Sequence, residues 1–151
     1  MKTGRENVKY DEAGLPGVTL VNVEVSRCAE CGEYEVAIPR IAELHAVLAR
    51  GIAKKPGRLD GNEVRFLRKF LGFSAGEFAK IIDVHPSTMS RWETGKEPIG
   101  KVSDRLLRAL VIIGERVKDY PIRELAEVAQ DDAPAARYEV RATDGEWQMP
   151  A

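Results

Sequence analysis

The sequence predicts an α+β protein: a small N-terminal antiparallel β-sheet with one helix, then an all-α helix-turn-helix bundle, then a short C-terminal hairpin. Three observations predict it. Apolar residues alternate on both sides of a Cys-x-x-Cys turn between Val18 and Ile38. From Leu59 to Leu110 they recur at helical spacing behind cap residues and a Pro/Gly start-and-stop pair. Near the end, Tyr138, Val140 and Ala142 alternate ahead of Asp144-Gly145, a dipeptide suited to a two-residue hairpin turn.

Residues 1–54 read as the sheet-and-helix domain. Val8 to Tyr10 suggest a short strand, and Gly14-Leu15-Pro16-Gly17 a turn. In Val18 to Arg27 the alternation of Val18 and Leu20 slips at Val21-Asn22 and resumes at Val23 and Val25, so a strand with a bulge is expected. Cys28 to Gly32 form the tip, and Glu33 to Ile38 return with Tyr34, Val36 and Ile38 on one side. Pro39 opens a helix to about Ala53, with Ile41, Leu44, Leu48 and Ile52 on one face. Lys54-Lys55-Pro56-Gly57 is a linker by composition.

Residues 58–118 carry the helix-turn-helix. Asp60 and Glu63 stand three apart before Val64, Leu67 and Leu71; Ser74 and Glu77 do so before Phe78, Ile81 and Ile82. Each pair can cap a helix start reciprocally. After the break Asp83-Val84-His85, Pro86 suits a first helical position, where its missing N–H costs nothing. Gly95 stops that helix and Pro98 prevents resumption. With Met89 and Trp92 inward, a rotation of about 100° per residue places Ser87, Ser90, Arg91 and Thr94 on the opposite side. Such a short polar face allows close approach to a major groove, where Arg91 reaches O6 and N7 of a guanine. An ordinary three-helix bundle with a solvated polar face fits the same pattern. From Ile99 to Val117 a last helix points Val102, Leu106, Ala109, Leu110 and Ile113 at its own core, while Leu107, Val111 and Ile112 widen the apolar surface. That surface is a homodimer seam or simply a well-buried helix; symmetric reading of operators favours the seam.

Residues 119–151 form an extension: a short helix over Pro121 to Ala129, an acidic Ala/Pro linker over Gln130 to Ala136, and a hairpin over Arg137 to Met149. Charge divides along the same lines. The net charge is −1, yet residues 58–118 hold 12 Lys/Arg against 8 Asp/Glu, and residues 119–151 hold 3 against 8. The positive portion coincides with the helix-turn-helix, as attraction to phosphate favours. No apolar run approaches the ~20 residues needed to span a bilayer, and no signal-peptide pattern opens the chain. With two cysteines, both in one CxxC, a reducing cytoplasm is expected and a disulfide scaffold is not. Little argues for an enzyme: Ser87 and Ser90 lack a base with its orienting partner, no Gly-rich phosphate loop is present, and the CxxC is the sole reactive candidate.

The stretch from Leu59 to Leu110 resembles the Cro/repressor-type (XRE) helix-turn-helix. More closely, "RLDGNEVRFLRKFLGFSAGEFAKIIDVHPSTMSRWETGKEPIG" and "DRLLRAL", preceded by "RCAECGEYEVAIPRIAELH", resemble MqsA-type antitoxins and the YgiT-type zinc-finger regulators, over Gly17 to Leu110. The resemblance implies a bacterial or archaeal cytoplasmic repressor that binds a double-stranded DNA operator and represses its own operon. It also implies a cognate toxin protein as partner, with the strand from Val18 to Arg27 and the helix from Pro39 as contact surface. A stand-alone XRE regulator whose N-terminal unit binds another partner or effector is the alternative. Family base contacts match Ser87 and Arg91. Around them Thr88, Ser90 and Thr94 assist, and Lys96 with backbone amides near Ser74 and Pro86 grips phosphate. The chain departs from the pattern in three places. Ala75 and Gly76 stand where a Gln is usual, Asp83 where the interhelix Gly is usual, and no second CxxC precedes Cys28.

Cys28-x-x-Cys31-Gly32 on a strand-to-strand turn has the shape of a zinc knuckle, making Cys28 and Cys31 candidate zinc ligands. A structural zinc takes four ligands, which weighs against zinc in one chain. His45 is the nearby substitute and reads as a core-edge residue; His85 reads as a cap or phosphate neighbour. Four accounts fit: a relic turn, a site pooled between two chains, a second pair upstream, or a redox dithiol. Without metal, a domain of this size is marginal by itself and leans on a partner surface.

Overall fold

The structure is a computed structural model that describes residues 1–114 and 121–149. Three antiparallel strands open it: β1 (Lys2–Lys9), β2 (Thr19–Arg27) and β3 (Tyr34–Ala37), in the order β1-β2-β3. The bulge lies where the alternation slips. Glu6 pairs with Val23 and Val8 with Leu20, so Val21 and Asn22 together oppose Asn7. Asn22 sits at φ 57, and its N–H donates to the Asn7 side chain at 3.0 Å. Strand β1 is longer than the expected Val8 to Tyr10. Its first half is polar and mostly exposed, held by pairing to β2 and by the cross-strand Glu6–Arg27 ion pair at 2.7 Å, so no apolar alternation announces it.

Helix α1 (Ile41–Lys54) starts two residues after Pro39, with Arg40 in the left-handed region. Its deepest residues are Ala49 and Ala53; Ile41 is half exposed, and Leu48 and Ile52 pack at the side of the core. The helix lies against two later helices, over Gly61–Phe70 and Lys101–Ile113, and its small side chains face them. Helices α2 (Gly61–Phe70) and α3 (Ala75–Ile81) each begin with the expected reciprocal cap, Asp60 with Glu63 and Ser74 with Glu77. Asp83 turns the chain at φ 55 into α4 (Pro86–Glu93), which has Pro86 in its first turn and ends at Gly95, φ 76.

Helix α5 (Lys101–Ile113) corrects the expected facing. Leu107 and Val111 are the core residues, whereas Val102 is 79% exposed and Ile113 53%. Leu106, Ala109 and Leu110 are half-buried and line a shallow groove of about 250 Å³ with Ile113, Ile122 and Leu125. The inward turn also carries Asp104. Its carboxylate accepts the Leu59 N–H at 2.8 Å and the Arg108 Nε–H at 2.7 Å, so a charge occupies a core-facing position because its acceptors are satisfied there. Arg108 also donates to the carbonyls of Lys55 and Gly57, which pins the linker to α5. The expected end of this helix, at Val117, lies outside the described residues.

One apolar cluster joins Leu67, Phe78, Met89, Ile99 and Leu107 to Leu15, Ala49 and Ala53 of the N-terminal unit. At Gly61 two backbones approach closely: a Cβ there would stand 2.5 Å from the Glu93 carbonyl oxygen and 2.6 Å from that of Trp92. Replacing Gly61 with alanine is therefore expected to lower stability by about 1–3 kcal/mol, or more, because backbone and not a flexible side chain must yield. Thermal unfolding of the variant checks this; an unchanged midpoint would overturn it.

The expected short helix after Pro121 is a 3-10 helix, Ile122–Glu127, docked on α3. Strands β4 (Arg141–Thr143) and β5 (Glu146–Gln148) form the terminal hairpin, with Asp144 at φ 42 and Gly145 at φ 86, the paired positive values of a tight two-residue turn. Among the described residues no helix is long and apolar enough to cross a membrane.

Candidate nucleic-acid interface

Helix α4 is fixed from within. Met89 and Trp92 are buried in the core, and Glu93 is buried beside them. The Glu93 carboxylate accepts from Arg68 Nε at 3.1 Å and Nη2 at 2.6 Å, while Arg68 Nη1 donates to the Phe73 carbonyl at 2.8 Å. Arg65 donates to the Glu93 carbonyl at 3.3 Å. Apolar burial and an ion pair thus tie α4 to α2, and the rest of α4 faces outward.

On that outer side Pro86, Ser87, Ser90, Arg91 and Thr94 are exposed and Thr88 is half-buried. A continuous polar chain joins several of them. The Ser87 N–H donates to His85 Nδ1 at 3.1 Å, and the two side chains meet at 2.7 Å. With Nδ1 acting as acceptor for that amide, the Ser87 hydroxyl donates to it as well, and the Ser87 oxygen accepts from Arg91 Nη1 at 3.2 Å. Arg91 Nη2 donates to Thr88 Oγ1 at 3.1 Å, and Arg91 Nε lies 3.2 Å from Glu97 Oε1. The Thr94 hydroxyl donates back to the Ser90 carbonyl at 2.8 Å, which leaves its oxygen as an outward acceptor. Lys96 is exposed just past Gly95.

Two of the amides near Ser74 and Pro86 are occupied within the chain. The Ser74 N–H donates to Glu77 at 2.8 Å, Ser87's goes to His85, and Pro86 has none. The Ser74 amide, and after it Arg123, hold the Glu77 carboxyl below the ordinary range, so a carboxylate stands at the start of α3. Lys96 and the hydroxyls are exposed groups able to meet a backbone phosphate.

The cysteine pair sits at the β2–β3 tip, away from this face. The Cys28 N–H donates to the Glu33 carbonyl at 2.8 Å, the Gly32 N–H to the Cys28 carbonyl at 3.2 Å, and Gly32 takes φ 74. Both cysteines are free. Among the described residues no group of three or more His, Cys, Asp or Glu gathers, and His45 is bonded to the Tyr10 hydroxyl at 3.0 Å and set edge-on to Phe66. Two thiols do not fit a zinc ion that takes four ligands. The backbone amide of Cys31, followed by that of Glu30 and the Cys31 thiol, lowers the Cys28 thiol from its ordinary pKa. Alkylation by iodoacetamide is therefore expected to proceed faster at Cys28 than at Cys31 at neutral pH, with its pH midpoint below that of a free thiol. Mass-spectrometric rate profiles test this; equal rates would overturn it.

The sequence placed Ser87, Ser90, Arg91 and Thr94 on one face and His85 as a cap, and left Arg68, Glu93 and Glu97 unmarked. The signal for Arg68–Glu93 was present: opposite charges occupy inward phases of two helices, Arg68 beside Leu67 and Glu93 beside Trp92. Glu97 carried no signal of its own. Compared with known proteins, the chain matches no family model, no curated protein and no solved structure.

Proposed function

We propose that the chain is a sequence-specific DNA-binding regulator, a repressor that reads a two-fold operator as a homodimer. One observation carries the reading. Met89, Trp92 and Glu93 bury one side of α4 and leave its opposite side as a protruding surface of hydroxyls headed by one guanidinium. In this reading Arg91 donates to a guanine edge, Ser87, Thr88, Ser90 and Thr94 add shorter-range contacts, and Lys96 takes a phosphate. The basic excess of residues 58–118 supports approach to DNA, and the exposed apolar side of α5, with Val102, Ile113 and the groove beside Leu110, supports a two-fold seam. Selection of bound duplexes from a random pool tests all of this together. The expected product is a two-fold site with half-sites about 10 base pairs, or a multiple, apart; a pool that stays random would sink the reading.

A second reading concerns the N-terminal unit. Val21, Tyr34, Ile41 and Val47 are large apolar side chains left exposed on β2, β3 and α1, which supports a protein partner there. The resemblance to MqsA-type antitoxins makes that partner a toxin, and the cytoplasm of a bacterium or archaeon the place of action. Rescue of a neighbouring gene's toxicity, with co-purification of the two products, is the expected result; a stand-alone regulator would give neither.

A further inference from the structure

We propose that Glu97 is the positioning residue that makes Arg91 a selective reader of guanine; this rests on the DNA-binding reading of α4. The end of α4 places Glu97 by backbone geometry. With Gly95 in the left-handed region, the Lys96 N–H returns to the Arg91 carbonyl at 2.9 Å and the Gly95 N–H to that of Trp92 at 3.2 Å, closing the helix. The Glu97 N–H reaches the same Arg91 carbonyl at 3.3 Å. Pro98 then restricts the chain and buried Ile99 anchors it in the core. Glu97 is thus held over Arg91 by main chain, and its carboxylate meets Arg91 Nε at 3.2 Å.

The pair is 44% and 41% exposed, and ion pairs so open contribute little to folding. Its consequence lies in the donors left over. A guanidinium carries five N–H groups. Glu97 pairs with the guanidinium by charge, 3.2 Å from Nε, while Ser87 accepts one N–H of Nη1 and Thr88 one of Nη2. One N–H remains on each terminal nitrogen, the number that guanine O6 and N7 accept. A guanidinium already held loses less freedom on binding. The adjacent carboxylate also repels phosphate, so it opposes capture of Arg91 by the backbone of any sequence. Glu97 converts a general cation into a base reader.

The test uses the full chain, the duplex selected from the random pool, the same duplex with the read guanine replaced, and a random duplex. In Glu97→Ala, discrimination between selected and random DNA is expected to fall about tenfold, with random DNA bound more tightly than by the parent. Glu97→Gln, which keeps an acceptor and loses the charge, is expected to fall between the two in discrimination. In an Arg91→Ala background, Glu97→Ala should leave discrimination at the guanine unchanged, since Glu97 acts through Arg91. Undiminished discrimination in Glu97→Ala would overturn the positioning role alone. A parent protein that selects no site would overturn it together with the reading it rests on.

Discussion

Replacing Glu93 with alanine is expected to destabilise the protein by about 3–5 kcal/mol, the cost of stranding a buried charge. Glu93 and Arg68 side chains are both less than a tenth exposed, and without the carboxylate the Arg68 guanidinium keeps only the Phe73 carbonyl. That is a large share of the roughly 5–15 kcal/mol that holds a folded domain together. The pair is costly to break and cheap to replace as a whole: Arg68→Met with Glu93→Leu exchanges two desolvated charges for apolar volume and should recover most of the loss. Urea unfolding of the single and double variants decides it. A single-variant loss below about 1 kcal/mol, or a double variant worse than the single, would remove the pair from the account of how α4 is held.

Losing Arg91 should leave the fold intact and, in the proposed DNA-binding reading, change what the protein binds. Its side chain is exposed and its partners are surface groups, so Arg91→Ala is expected to keep the parent's thermal midpoint. Binding to the selected duplex should weaken by on the order of 1–3 kcal/mol, with the preference lost at one base-pair position. Lys96→Ala makes the contrast. A phosphate contact carries no sequence information, so its loss should weaken cognate and random DNA alike and reduce the salt slope by about one. Salt-series titrations of both variants on both duplexes separate the roles. Equal losses from the two changes on the two DNAs would defeat the assignment of either.

Much of the helix-turn-helix was legible because its signals are local. Asp60 with Glu63 and Ser74 with Glu77 satisfy amides within their own first turns, and Pro86 and Gly95 bound α4 through backbone preferences that need no distant partner. The bulge at Val21-Asn22 and the Asp144-Gly145 turn belong to the same class, since a slip in alternation or a dipeptide suffices. Helix α5 was not legible. Valine, leucine, isoleucine and alanine occupy most of its circumference, so periodicity admits more than one inward phase. Asp104 faces inward with Leu107 and Val111; its Arg108 partner lies at i+4, where spacing shows it, but the Leu59 amide its carboxylate accepts is 45 residues away in sequence. Strand β1 escaped for a related reason: its polar residues pair with β2 along a register that only the partner strand supplies.

Alone, the order of residues determined where α2, α3 and α4 begin, where α4 stops, and which side of α4 is greasy, because caps, glycine conformations and period act within a few residues. Only tertiary structure decided how the bundle is turned and how its outer face is held. The inward phase of α5, the Arg68–Glu93 tie beneath α4 and the Glu97 carboxylate above it each depend on groups meeting in space, and the energy of a charge is set by what surrounds it after folding.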